Sequence, residues 1–162
     1  MSWELFEHTA DIGLRAFGVT LEEAFAEAAR GTLSLIAPSL KPRPLHRTDL
    51  AVSARDLESL LVAWLSEILY LLYAEGFFPA VIDVLQIRGE PAGKNTPESP
   101  DQADGHNRVT LDAELTGEVL AGERRDKLEL EVKAVTYHML EIEKRKQAES
   151  GKEWFVQVIL DV

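Results

Sequence analysis

Carboxylates near the two ends of the chain are the residues whose types and positions suggest chemistry. Asp11 lies in a short polar stretch that apolar, β-prone residues flank on both sides. Asp161 and the α-carboxylate of Val162 end an apolar run that begins at Trp154. If the strand formed by that run pairs beside the first strand, three carboxylates converge on one point. Such a cluster repels itself unless a cation or protons neutralise it, and its hard oxygen ligands suit Ca²⁺, Mg²⁺ or Mn²⁺.

Each of these carboxylates also has a simpler explanation. An aspartate in a turn often accepts hydrogen bonds from its own backbone, and an aspartate beside a chain end is often only solvated. The residues alone therefore leave both a shared metal site and two structural aspartates open. Zinc is disfavoured, because the chain has no cysteine and its four histidines show no ligand spacing. They are His8, His46, His106 and His138.

Nucleophilic catalysis has little support in the sequence. The chain has no Gly-x-Ser-x-Gly motif, no cysteine and no phosphate-binding glycine loop. A small polar group, Lys133, Thr136 and His138, lies in one segment, although Lys133 has the opposite strand parity to the other two. These residues could contact the nucleotide site of a partner, or they could simply lie at the rim of a sheet.

Charge and composition restrict the classes of partner. Seventeen basic and 28 acidic residues give a net charge of -11, so the chain repels free RNA unless its few cations are concentrated. This balance fits a metal site, a basic protein partner or, most simply, solubility. The 162 residues suit one domain, over 1–162. No signal peptide is recognisable, and the longest apolar segment carries Glu58, Ser66 and Glu67, so we expect a cytoplasmic protein without a membrane span.

Two helices stand out by periodicity. A capping box at Thr20 starts the first, which spans about residues 21–36 and ends before Pro38. The second spans 57–72, has apolar residues at i, i+3 and i+4 through four turns, and ends at Gly76.

Alternating patterns predict six or seven strands. They are an opening hairpin around the polar stretch 8–13, a strand at 45–53, a hairpin of 80–88 against 108–119, one long or two kinked strands over 128–142, and a last strand from 154. Residues 89–107 are rich in Pro, Gly and charge, and predict a flexible loop. Without strict βαβ alternation, we expect a two-layer α+β fold in which two main helices pack on one face of a mainly antiparallel or mixed β-sheet.

Four stretches, in order along the chain, resemble the archease family: FEHTADIG (6–13), LLVAWLSEILY (60–70), KAVTYH (133–138) and the final VILDV (158–162). The resemblance implies a small α+β protein cofactor, not an enzyme, that activates the RtcB-type RNA ligase. That ligase joins RNA ends, including tRNA halves, with GTP and a divalent metal. The chain departs from the family pattern in two places. Residues 89–107 resemble an insertion relative to the family, and Ala63 and Ser66 stand where the family often has acidic and amide residues.

The same resemblance implies roles for individual residues. It places divalent-metal ligation (Ca, Mg or Mn) on Asp11, Asp161 and the Val162 carboxylate. A weaker partner-facing group comprises His8, Thr9, Lys133 and His138. The expected role is to promote guanylylation and multiple turnover of the ligase in tRNA splicing and RNA repair, with RNA met only through the ligase and the oligomeric state left open.

Two other functions remain as alternatives. A chaperone-like scaffold would need an exposed apolar patch. A stand-alone metal-dependent hydrolase would need a nucleophile or general base that the sequence does not reveal.

Overall fold

The computed structural model describes residues 2–8, 11–90, 108–145 and 151–162. In these residues the elements follow one another as β1 (Trp3–His8), β2 (Asp11–Gly18), α1 (Leu21–Ile36), β3 (His46–Ala54), α2 (Leu57–Glu75), β4 (Phe77–Gly89), β5 (Val109–Val119), a 3₁₀ helix (Gly122–Lys127), β6 (Ala134–Lys144) and β7 (Trp154–Asp161).

The strands form a four-stranded sheet, β1-β2-β7-β6, and a three-stranded sheet, β3-β5-β4. Every strand pair in the described residues is antiparallel, which confirms the predicted α+β class. The sequence analysis expected one sheet, whereas the structure has two, and both helices contact both of them. The reason is that α2 is apolar around most of its circumference and needs cover on more than one side.

Helix α1 begins with the predicted capping box. The Thr20 hydroxyl accepts from the backbone N–H of Glu23 at 3.1 Å, and the Glu23 carboxylate accepts from the N–H of Val19 at 3.0 Å. Two N–H groups at the helix start therefore have acceptors. The helix ends at Ile36, before Pro38, as the sequence predicts.

Helix α2 is the centre of the core. Asp56 caps its start by accepting from the N–H of Ser59 at 2.7 Å, and Gly76 ends it in the left-handed conformation, at φ 71°. Trp64 is fully buried, and its indole N–H donates to the carbonyl of Phe25 at 2.9 Å, which joins the two helices. By length and composition alone α2 could span a membrane. Here, however, its large apolar side chains are buried in the core, and the helix contacts strands of both sheets.

Both predicted hairpins form. Strand β4 pairs with β5 from Phe77↔Val119 to Gly89↔Val109, and β1 pairs with β2 up to His8↔Asp11. Asp11 and the two residues after it belong to β2, rather than to the turn that the sequence analysis expected. Residues 91–107, most of the predicted flexible loop, lie outside the described residues.

The predicted strand over 128–142 is shorter than its alternation suggests. Strand β6 begins only at Ala134, and its pairing with β7 is irregular between Thr136 and Glu141. Residues 128–133, which we call the strap, alternate between less exposed side chains (Leu128, Leu130 and the buried Val132) and exposed ones, but belong to no strand.

A buried carboxylate ties two connections to the three-stranded sheet. Glu118, whose side chain is 2 % exposed, accepts from Nε of Arg124 at 2.8 Å, from Nη2 of Arg43 at 3.1 Å and from the Arg43 backbone N–H at 3.1 Å. The Arg124 bonds, supported by those of Arg43, outweigh desolvation and lower the pKa of Glu118 from 4.5 to about 2. Glu118 is therefore ionised at neutral pH and holds residues 37–45, the proline-rich connection between α1 and β3, against the 3₁₀ helix.

Candidate metal centre at the end of the four-stranded sheet

The strand register brings two of the predicted metal ligands together. Strand β7 pairs with β2, the second strand of the opening hairpin, and Ile12 stands opposite Leu160. Continuing this register by one residue places Asp11 opposite Asp161. Side chains directly opposite one another in an antiparallel pair have Cβ atoms about 5 Å apart. This extension of the register predicts that two carboxylates from opposite ends of the sequence are neighbours.

Both carboxylates lie on the face of the sheet that points away from the helices. Leu14 of β2 and Val158 and Leu160 of β7 belong to the helix-packed core, and Asp11 and Asp161 have the opposite parity on their strands. Asp11 and Asp161 are each partly exposed. The pair is therefore open to a cation or to a partner from outside the sheet.

The next row of the sheet forms an apolar floor beside the carboxylates. The Phe6 ring covers Gly13 so closely that a Cβ at residue 13 would lie 2.1 Å from the ring. Ile159 stands opposite Gly13 and is fully buried. A floor that excludes water on one side of the carboxylates strengthens their interaction with a cation.

A guanidinium on this face, that of Arg15, is engaged by other residues of the sheet. It stacks 4.2 Å from the centre of the Phe6 ring, donates from Nε to Gln157 Oε1 at 2.9 Å and forms an ion pair with Glu4 at 3.4 Å. The Phe6 ring also lies over Gly13, the residue that stands between Asp11 and Arg15 on this face of β2. The positive charge of Arg15 is thus paired with Glu4.

Lys133 and Val162 adjoin the pair. The backbone N–H of Lys133 donates to the carbonyl of Asp161 at 2.8 Å, and the Lys133 side chain is exposed. The side chain of Val162 packs against the core, directly after β7. The structure thus brings the Lys133 backbone against Asp161, and Val162 follows Asp161 directly in the chain.

His138 lies further along β6, in its irregular segment. Four residues, 137–140, stand where β7 offers only Val158, and Met139 has a positive φ of 54°. Such a bulge re-aims side chains, and left-handed backbone is uncommon for a residue other than glycine. His138 is exposed on this bulge rather than next to Asp161. Thr9 and the side chain of His8 lie outside the described residues.

Gln157 holds the bulge in place, and the sequence analysis did not identify it. Its amide Nε2 donates to the Met139 carbonyl at 2.9 Å while its Oε1 accepts from Arg15, and the residue is 4 % exposed. The available signal was one amide within an otherwise apolar strand, because a buried polar side chain needs partners.

The donor set of the site suits a hard cation but does not complete its coordination. Asp11 and Asp161 supply carboxylate oxygens, the ligands that Ca²⁺, Mg²⁺ and Mn²⁺ prefer. In the part of the chain that the structure describes, no group of three or more His, Cys, Asp or Glu side chains could hold a metal. The remaining coordination positions would fall to the Val162 carboxylate, backbone carbonyls or water.

A separate cavity lies away from this site. It measures about 170 Å³ and lies between the end of α1, the proline-rich connection and the start of β4. Its walls are mainly apolar, with Leu33, Leu40, Phe78 and Ile82 among them. No predicted site residue lines it.

Comparisons with known proteins find relatives over nearly the whole chain. The chain is 36 % identical to the protein archease of Thermococcus kodakarensis over 160 residues, covering 99 % of this chain and 98 % of the relative. It is 35 % identical to the protein archease of Pyrobaculum neutrophilum over 156 residues, covering 96 % and 92 %.

The fold is also found in a solved structure. The solution structure of a Methanobacterium thermoautotrophicum protein matches with a TM-score of 0.66 and 27 % identity, over 99 % of both chains. The sequence profile of the archease protein family matches residues 3–162. This match spans both sheets, both helices and the paired aspartates, and the chain belongs to the archease protein family.

Proposed function

We propose that this chain is a protein cofactor that activates an RtcB-type RNA ligase and binds a divalent cation through Asp11 and Asp161. The observation that supports the cation site is the register of β2 and β7, which, extended by one residue beyond Ile12↔Leu160, sets Asp11 opposite Asp161, 150 positions away in the sequence. Two like charges facing one another on an outer sheet face are unfavourable without a counter-ion. A cation held there is accessible from outside the sheet.

The other predicted residues fit a surface that meets the ligase. Lys133 is exposed beside Asp161, and His138 is exposed on the bulge of the same strand. In this proposal they contact the ligase, together with His8 and Thr9, while the aspartates position a cation near the ligase's own metal. The bound cation supplies positive charge where a nucleotide phosphate reacts. The expected result is faster guanylylation of the ligase and multiple turnover, without catalysis by this chain.

The first experiment measures cation binding. Mn²⁺ is titrated into the untagged chain and into D11N and D161N, and binding is followed by calorimetry. We expect each substitution to weaken Mn²⁺ binding by about tenfold or more, because removing the charge of a ligand costs at least as much as removing an outer-shell partner. D83N is the matched control, because Asp83 is an exposed aspartate in the strand β4 of the other sheet. Equal Mn²⁺ affinity of D11N, D161N and D83N would contradict the cation site.

The second experiment measures ligase activation. The ligase from the same source joins RNA ends under multiple turnover with no added chain, with the wild type, or with D11N or D83N. We expect activation by the wild type and D83N and little activation by D11N. If all three activate equally, the docking function stands and the cation role falls. If none activates, the ligase function is wrong for this chain.

The contribution of Val162 is tested separately. One alanine added after Val162 moves the terminal carboxylate away from the site while keeping both aspartates. If that carboxylate is a ligand, Mn²⁺ affinity falls and cation-dependent activation falls with it. If affinity stays unchanged, the two aspartates bind the cation without it. An extension by three residues provides a control for steric effects, because it should not weaken binding further.

A further inference from the structure

The strap, residues 128–133, is held by hydrogen bonds to elements that are distant in the sequence. The N–H groups of Glu129 and Leu130 donate to the carbonyl of Ile36, the last residue of α1, at 2.7 and 3.2 Å. The N–H of Val132 donates to the hydroxyl of Tyr73, in the last turn of α2, at 2.9 Å. The strap therefore joins the ends of both helices.

The strap then leads directly into the candidate site. Lys133 follows Val132, and its N–H donates to the carbonyl of Asp161 at 2.8 Å. Val132 itself is 1 % exposed and belongs to the core, whereas the Lys133 side chain is exposed. The position of Lys133 against Asp161 thus depends on how firmly Val132 is held. The residue that accepts the Val132 N–H is Tyr73.

We infer that Tyr73 is a positioning residue, whose hydroxyl fixes the strap so that Lys133 and Asp161 keep their geometry at the cation site. The other acceptors of the strap are backbone carbonyls, which a side-chain substitution cannot remove. Burial raises the pKa of the Tyr73 phenol, so the hydroxyl stays neutral at ordinary pH. A neutral hydroxyl accepts the N–H of Val132 and brings no charge to the strap.

The substitution Y73F removes the acceptor and keeps the ring. The N–H of Val132, at a buried position, then lacks its acceptor, which favours local opening of the strap. We expect amide hydrogen exchange at Val132 and Lys133 to become about tenfold faster or more. Because Lys133 holds the main chain of Asp161, Mn²⁺ affinity should also fall, by about tenfold, as when an outer-shell partner of a ligand is lost.

Y70F is the matched control. Tyr70 lies three residues earlier on α2, is 56 % exposed and makes no hydrogen bond through its hydroxyl within the described residues. It should leave both amide exchange and Mn²⁺ affinity unchanged. A drop in thermal stability shared by Y70F and Y73F would report only the loss of a phenol. Faster exchange confined to Val132 and Lys133 in Y73F is specific to the positioning role.

The exchange experiment is independent of the proposed function, whereas the Mn²⁺ experiment rests on it. If Y73F and Y70F show the same exchange at Val132 and Lys133, the positioning inference is overturned. If exchange quickens in Y73F while its Mn²⁺ affinity equals that of the wild type, Tyr73 holds the strap but does not position the site, which also overturns the inference. If wild type binds no Mn²⁺ and D11N still fails to activate the ligase, weaker activation by Y73F than by Y70F supports positioning without a cation. Equal activation by both variants overturns it.

Discussion

Replacing Glu118 with glutamine should lower stability in a way that depends on pH. The substitution keeps the shape of the side chain and removes its charge, while Arg43 and Arg124 remain around a buried position. A folded-state pKa of about 2, against an ordinary value of 4.5, corresponds to about 3 kcal/mol of stabilisation by the charged form. The two arginine side chains are 56 % and 34 % exposed, so water screens part of this energy, and we expect about 2 kcal/mol.

The sign of the pH effect follows from the lowered pKa. Above pH 4.5 the carboxylate is ionised in both the folded and unfolded chain, and its stabilisation is fully present. As the pH falls from 4.5 towards 2, the unfolded chain takes up a proton before the folded chain does, so the stabilisation is progressively lost. The free energies of unfolding of the wild type and E118Q should therefore differ most at pH 7 and converge near pH 2.

Urea unfolding followed by circular dichroism at pH 7, 5, 4 and 3 measures this convergence. The control is E123Q, because Glu123 lies nearby in the 3₁₀ helix and is exposed. E123Q should change the free energy of unfolding by less than about 0.5 kcal/mol at any of these pH values. A difference between E118Q and wild type that is the same at pH 3 as at pH 7 would refute the reasoning, since it would reflect packing and not charge.

Three further predictions concern the packing of Phe6 on Gly13, the cap of α2 and residues 91–107. G13A should displace the Phe6 ring and lower the free energy of unfolding by about 1–3 kcal/mol, whereas F6L/G13A should recover part of that loss. Thermal denaturation measures both changes. An unchanged melting temperature for G13A would contradict the contact. D56A removes the cap of α2 and should lower the free energy of unfolding, measured in urea, by about 1 kcal/mol, whereas D56S should stay close to wild type. An equal decrease in both variants would argue against capping. Deleting 91–107 and joining the ends of the β4–β5 hairpin should leave ligase activation intact, and a large loss in the multiple-turnover assay would give this segment a function.

The helices and hairpins were predictable because their signals are local. The capping box at Thr20, the Asp56 cap and the Gly76 end of α2 each involve residues within a few positions of one another. The same is true of the alternation in β4 and β5, which pair along the whole predicted hairpin. The strap alternates as a strand does, yet its amides find acceptors in both helices and β7. Alternation reports which side chains are buried, not which backbone is its neighbour.

The candidate site divides between sequence and tertiary structure in the same way. By itself, the sequence placed one carboxylate, Asp11, in the polar stretch of the opening hairpin and another, Asp161, at the end of the last apolar run. It left a shared site for a hard cation and two structural aspartates both open. Only the tertiary structure decided that β7 pairs with β2 in the register that, extended by one residue beyond Ile12↔Leu160, sets these carboxylates opposite one another. It also decided that Tyr73 accepts from the strap beside them. Register and long-range hydrogen bonds depend on the packing of two helices between two sheets, and no short stretch of residues encodes that packing.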